Sequence, residues 1–184
     1  MRLILLTAVL AAICSGCGKN NNGTPSAVPL NIGDSHAGGI IFYLDSTGQH
    51  GLVAAPADQS TSMRFAPYTD DNGQLFDYST MPGFPGNAEG VTSSEYLNNM
   101  LTKPNAANTC RSYDGGGFND WYLPNYTEFM EMCKISGLLN LLPQKYYWNI
   151  TGVPFMPNYY ATSFNCDNRY SKDSLAAVRA VRKF

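Results

Sequence analysis

The sequence predicts an α+β domain, and three observations carry that expectation. Strand-like runs lie at both ends of the globular part, Ile40–Leu44 and Leu52–Ala55 at one end and Tyr159–Phe164 and Leu175–Phe184 at the other. Segments with helix caps and helical spacing stand between them. The composition, with 17 Gly, 11 Pro and 12 Tyr but only 14% charged residues, describes a loop-rich fold with strands and argues against a helical bundle. Hydrophobic residues at 44% and aromatics at 12% supply a core and exclude a disordered chain. A sheet built from both ends would bring the ends of the domain together.

Each element has a local reason. Gly38–Pro56 reads as a hairpin: Ile40–Leu44 is β-branched and aromatic, Asp45-Ser-Thr-Gly48 is turn chemistry, and Pro56 stops the return strand Leu52–Ala55. Residues 58–90 read as a long irregular stretch, with an Asn72-Gly73 turn signal and the helix-incompatible run MPGFPGN at 81–87. Thr92–Lys103 reads as a helix, opened by Thr92 and Glu95 in capping-box spacing and closed by Pro104. Asn105 can cap a second short helix, Ala106–Ser112, whose inner side is Ala106, Ala107 and Cys110. Asp114-Gly-Gly-Gly117 breaks the chain before Trp121. A third helix starts at Asn125, with Glu128 three residues later and Phe129, Met132, Cys133 and Ser136 as its core stripe, and Gly137 ends it. The last run, LAAVRAVRKF, needs pairing inside a sheet to stay ordered. No internal repeat is visible.

The 184 residues divide into three parts: a leader at 1–17, a tether at 18–30 and a domain at 31–184. Arg2 precedes an apolar run of 11 residues, Leu3–Ile13. At about 1.5 Å per residue this run cannot cross a hydrocarbon core about 30 Å thick, but it fits the apolar region of a secretory signal. Ser15-Gly16-Cys17 resembles a bacterial lipobox, in which Cys17 is acylated and becomes the new N-terminus. Cys14 departs from the aliphatic residue usual three positions before, and an ordinary cleaved signal is the alternative. The following GKNNNGTPSAVP is polar and aperiodic, as a tether should be. The expected location is therefore the bacterial cell envelope, as a lipoprotein of the outer membrane.

Several chemistries find little support. A net charge of −2 and a pI near 5.6 create no field that would attract a polyanion, which argues against nucleic acid. Without Arg2 the chain carries 11 basic and 14 acidic side chains, net −3. Two histidines, His36 and His50, and no nucleophile or dinucleotide motif leave little material for catalysis, so no enzyme activity and no cofactor are expected. Cys110, Cys133 and Cys166 have no zinc spacing; they are either buried small hydrophobes or one disulfide with a thiol left over. Asp70 and Asp71, with Asn72 and Asp77, could surround calcium but lack the full alternating ligand loop, and a solvated turn is the simpler reading. Asn125 and Asn149 each head a glycosylation triplet that carries little weight in a bacterial lipoprotein. The aromatic loops offer the remaining chemistry. Tyr146, Tyr147 and Trp148, if open to solvent, present flat apolar faces on which sugar rings stack, and Asp70 and Asp71 could accept sugar hydroxyls. The alternative is that these rings form a satellite core.

The segment GGGFNDWYLPNYTEF, Gly115–Phe129, resembles the GG-[YF]-x-DW-x-LP-x-x-x-EL core of the Lcl C-terminal domain family, exported bacterial domains named after the end of a collagen-like adhesin. Other stretches agree in order: Ile32–Pro56 with the family's opening, AANTCRSY with its AAxxCxxY helix, YYATSF with YWSSSE, and VRAVRKF with the closing VRxVRxF. The likeness spans Ile32 to Phe184. It departs at Tyr-Ala-Thr-Ser, where the family has a tryptophan-containing strand, and at the extra aromatic segment around Trp148. The resemblance implies a C-type-lectin-like fold with antiparallel sheets, two or three short helices and long irregular loops. The calcium-dependent sugar site of such lectins is not carried over: Leu123-Pro124-Asn125 lacks the preceding carboxamide or carboxylate, and Asn119-Asp120-Trp121 has the letters in another order. Asp120, Trp121 and Pro124 then read as a structural corner, with Trp121 a core anchor and Asp120 a partner for turn amides, Arg179 or Arg182. The expected function is a lipid-anchored envelope module that binds a glycan, a matrix polymer or an envelope protein. The alternative is a structural or assembly domain without a small-molecule ligand.

Overall fold

Nine strands form two sheets in the computed structural model, which describes residues 28–66, 69, 72–74, 92, 94, 95, 98, 99, 102–142, 145–150, 161–163, 169, 170 and 175–184. The first sheet contains β1 (Ser35–His36), β2 (Gly39–Leu44), β3 (Gly51–Ala54) and β9 (Val181–Lys183), in the order β1-β2-β3-β9 and antiparallel throughout. The second contains β4 (Ser60–Met63), β5 (Tyr146–Trp148), β6 (Ala161–Ser163), β7 (Arg169–Tyr170) and β8 (Ala176–Val178), in the order β4-β8-β5-β6-β7. It is antiparallel except between β5 and β8. Two α-helices, α1 (Ala106–Arg111) and α2 (Tyr126–Lys134), accompany them, and residues 92, 94, 95, 98 and 99 are also helical. The domain is thus α+β, and β9 closes against β3, so that the first three strands and the last share one sheet.

Consecutive strand residues feed two separate cores. Ile41, Val53, Trp121, Leu123, Trp148, Ala176 and Val178 belong to one cluster, while Phe42, Ala54, Tyr122, Tyr147 and Ala177 belong to the other. Side chains alternate across a strand, so a strand buried on both faces reads as a continuous apolar run rather than an alternating one. This explains IIF, WYL, YYW and AAV in the sequence. In β2 a register shift between Ile41 and Tyr43 accompanies the change from two buried residues to an exposed Tyr43.

Both helix starts follow from their caps. The Asn105 side chain accepts from the Asn108 backbone N–H at 2.9 Å while Asn108 Oδ1 accepts from the Asn105 N–H at 2.8 Å. Asn125 and Glu128 exchange the same pair of bonds, each 2.8 Å. These satisfy backbone donors that a helix end would otherwise leave unpaired. Helix α2 ends at Lys134, three residues before Gly137, and a run of turns through residue 140 follows.

Three expectations change. Ser60–Met63, inside the stretch expected to be irregular, forms β4, a polar edge strand. The last apolar run is two strands in different sheets, broken at Arg179 and Ala180 because Arg179 turns inward to Asp58. Tyr146–Trp148, expected as an open loop, is the central strand β5.

The Gly-rich break has a packing cause. Gly115–Gly117 is a single 3-10 turn with Gly116 at φ +70°, and a Cβ there would lie 2.4 Å from the Gly38 Cα. The two backbones touch, which only glycine allows. Trp121 Nε1 donates to the Gly115 carbonyl at 3.1 Å, and its ring meets Tyr113 edge-on at 5.0 Å. Cys110 is free and buried, and burial pushes its thiol pKa up. Cys133 is disulfide-bonded to a cysteine outside the described residues.

Candidate functional site

A groove of about 780 Å³ opens where the β3–β4 connection faces the outer side of α1. Asp58 and Gln59 form one wall, Asn98 of the preceding helical stretch and Thr102 after it form part of the lining, and Thr109 of α1 and its C-cap Ser112 complete it with Tyr113 just beyond. The helical period decides which side of α1 does this. Asn108, Thr109 and Ser112 recur at three- and four-residue spacing, whereas Ala106, Ala107 and Cys110 turn into the core. Ser94 positions the other wall: its hydroxyl donates to the Leu123 carbonyl at 3.3 Å and accepts from the Leu123 N–H at 3.0 Å, and Asn98 stands one turn further along.

The walls are held by buried polar contacts. Arg179, with only 4% of its side chain exposed, places Nε 2.8 Å and Nη2 2.6 Å from Asp58 Oδ1. Its Nη1 donates to the carbonyls of Ala55 at 2.9 Å and Leu139 at 3.1 Å. Asp58 also receives the Tyr147 hydroxyl at 3.4 Å and stands 3.6 Å from Lys145 Nζ. Burial chiefly raises the Tyr147 pKa, opposed by the Leu142 N–H that donates to its oxygen. Gln59 donates to the Ala57 carbonyl at 2.8 Å and accepts from the Ala180 N–H, while Asn108 Nδ2 donates to the Lys103 carbonyl at 2.8 Å. The side chains of Asn98, Thr109 and Ser112 make no hydrogen bond among the described residues. The groove therefore has a fixed frame and free hydroxyl and amide groups on its rim.

The expected aromatic site is not present in the form anticipated. Tyr147 and Trp148 are fully buried, so neither has a face to offer a ligand. Trp148 Nε1 donates to the Met63 carbonyl at 2.8 Å and its ring packs 5.3 Å from that of Phe65, centroid to centroid, so its apolar body and polar edge are both satisfied within the chain. Tyr146 is half-buried against the same cluster. Asp70 and Asp71 lie outside the described residues, as do Cys17 and the leader. Among the described residues no group of three His, Cys, Asp or Glu side chains could hold a metal, and no helix is long and apolar enough to cross a membrane.

Asp120 meets Arg182 in two parallel bonds, Nε to Oδ1 at 2.7 Å and Nη2 to Oδ2 at 2.9 Å. That guanidinium lowers the Asp120 pKa below the ordinary value, with burial opposing, and also lies 3.7 Å above the Phe118 ring. Trp121 and Pro124 are buried, and the Pro124 carbonyl accepts from the Ile150 N–H at 2.8 Å. Tyr122 and Val181 exchange backbone bonds of 2.8 and 2.9 Å, which ties this corner to β9.

A smaller hollow of about 250 Å³ lies between the hairpin turn and β9, beside Tyr43, His50 and Lys183. The Glu128 carboxylate at its edge is engaged by the Tyr122 hydroxyl at 2.9 Å and by the Asn125 N–H.

The larger groove was not legible from the sequence. Thr109 and Ser112 carry a signal, as the polar side of an amphipathic helix. Nothing local joins them to Asp58 or Asn98. Searches against protein-family models and against curated proteins found no match to this chain.

Proposed function

We propose that the chain is a lipid-anchored binding module of the bacterial cell envelope, held at the outer membrane through Cys17, and that the groove beside Asp58 is where it takes its ligand, a glycan or matrix polymer. The observation that carries this reading is the groove itself. It has a wall fixed by the buried Asp58–Arg179 pair and a rim of hydroxyl and amide groups with bonding capacity to spare. Such a combination, a preformed concavity with a few convergent polar groups, is what small-ligand sites have in common. The leader, the tether and the resemblance to the Lcl C-terminal domain family support an exported module. The α+β architecture, with the first and last strands in one sheet, is compatible with a C-type-lectin-like fold and supports that finer reading. The proposed role is binding, not catalysis.

A purely structural or assembly role is the second reading. Exposed Ile32, Leu138 and Leu142 favour it, as apolar residues that a partner could cover. A glycan array probed with the full chain in detergent separates the two. Saturable binding to an envelope or matrix glycan supports the module. Absence of binding to every glycan, together with self-association lost on Leu138→Ser, favours assembly and overturns it.

A further inference from the structure

We propose that the surface where the tether enters the domain, formed by Val28, Ile32 and Leu138, lies against the lipid bilayer that holds the acylated Cys17. This rests on the lipid-anchor reading and adds to it the face of the domain that meets the membrane. Three aliphatic side chains stand out there: Val28 is 83% exposed, Ile32 41% and Leu138 57%. Leu138 comes from a distant part of the chain. A Cβ on Gly33 would lie 3.0 Å from Leu138 Cδ1, so the Leu138 side chain covers the backbone next to Ile32.

The face is held in place. Leu30, between Val28 and Ile32, packs against the first core cluster. The Gly33 N–H donates to the Ile41 carbonyl at 2.8 Å and the Ile41 N–H to the Asp34 carbonyl at 2.9 Å, which staples the entry segment to β2. Leu138 sits in the turns after α2, where its N–H and that of Leu139 donate to the Ile135 carbonyl at 2.9 and 3.1 Å. Leu139 is buried and Leu138 is left outside. Apolar side chains held together in water are stabilised by a partner that covers them.

Tether length decides the partner. Residues 18–27 lie between Cys17 and Val28. A polar linker of that length has a root-mean-square span of about 18 Å and a limit of about 38 Å, while a domain of this size is about 40 Å across. The bilayer is therefore held, on average, within half a domain's width of Val28, and this face is the one it reaches. Attachment also raises the effective concentration of lipid at the face to the millimolar range. Three aliphatic side chains, too few to hold a free protein on a membrane, are enough once the anchor is inserted. A second copy of the chain fits less well, because a stable dimer uses about 20–30 residues a side. Charge neither drives nor opposes the contact. Asp34 beside the face accepts from the Asn31 N–H at 2.9 Å and from its Nδ2 at 3.2 Å, and Lys134 is paired with Glu131.

The test is methyl NMR of the acylated full chain in nanodiscs of phosphatidylethanolamine and phosphatidylglycerol, one chain per disc, with and without a nitroxide near the top of the acyl chain. The expected result is that the methyl signals of Val28, Ile32 and Leu138 lose most of their intensity to the nitroxide. Those of Leu175 and Thr61, exposed on the second sheet, should keep theirs. The pattern should be the same at low and high salt, because the contact is apolar. Leu138→Ser, a change at an exposed turn position, should restore much of the intensity at Ile32 without releasing the chain from the disc, and a melting curve checks its folding. Losses at Leu175 and Thr61 as large as at Leu138, or a loss at Ile32 that a folded Leu138→Ser leaves unchanged, would overturn the docked face and leave the anchor standing. Protection of Leu138 from the nitroxide, with self-association that Leu138→Ser abolishes, would give the face to a second copy and overturn the proposal too. A chain that does not enter the discs at all overturns the anchor reading itself, and this inference with it.

Discussion

Replacing Asp58 with alanine removes the counter-charge of a guanidinium that is almost wholly enclosed. Arg179 has 4% of its side chain exposed and Asp58 11%, so solvent screens the pair little. After the substitution, Arg179 keeps the Ala55 and Leu139 carbonyls but loses both bonds to Oδ1. Breaking one side of a buried pair costs about 3–5 kcal/mol, mostly because the remaining charge stays buried. For a domain of this size each kcal/mol lowers Tm by roughly 2–4 °C, so a fall of roughly 10 °C is expected. The neighbouring Lys145–Asp58 contact is longer and more exposed, and Lys145→Ala should cost under about 1 kcal/mol. Urea denaturation followed by tryptophan fluorescence measures all three variants needed: Asp58→Ala, Arg179→Met and the double mutant. The double mutant should be more stable than Asp58→Ala alone, because it removes the stranded charge. A loss below 1 kcal/mol for Asp58→Ala, or a double mutant that is worse than either single, would refute the reasoning and with it the rigid wall of the groove.

Four further outcomes are expected. Trp121→Ala should destabilise by about 3–5 kcal/mol, since it deletes a fully buried ring and its bond to Gly115, and a Tm within a degree of wild type would contradict this. The Asp120 carboxyl should titrate below the ordinary 3.8, so the stability it contributes is complete above that value and fades as pH falls through the depressed one. Carbon-detected NMR should show Arg182→Gln moving that titration upward. Alkylation of the native, non-reduced protein should spare Cys110, which is buried, and Cys133, which is disulfide-bonded; peptide mapping should then find Cys133 cross-linked, with Cys166 its partner if Cys17 is acylated. Cys17→Ser should release the protein from membranes or block its processing, and unchanged detergent partition would count against lipidation.

What could be read in advance was local. Asn105 as a cap and Asn125 with Glu128 as a capping box announced their helices, because a cap needs only a few consecutive residues; Asn108 completes a second box that the sequence reading did not include. The hairpin of β2 and β3 was legible from its β-branched run and its Asp45–Gly48 turn, where Asp45 accepts from the Thr47 and Gly48 amides at 2.9 and 3.0 Å. β4 escaped notice because an edge strand such as Ser60–Met63, with two exposed residues, carries no apolar pattern. Trp148 was open to misreading because a ring that stacks on ligand and a ring that fills a core have the same composition. Only the Met63 carbonyl, 85 residues away in sequence, shows which it is. The groove is non-local in the same way: Asp58 meets Arg179 across 121 residues, and no spacing rule connects them.

The most direct test of ligand binding at the groove is the map of amide chemical-shift changes in the full chain in detergent, as the tightest-binding oligosaccharide from the array is added. The expected map has its largest changes at Asp58, Gln59, Thr109, Ser112 and Tyr113, with Asn98 Nδ2 shifting alongside them. Largest changes at Tyr43, His50 and Lys183 around the smaller hollow, with the α1 amides unmoved, would contradict it.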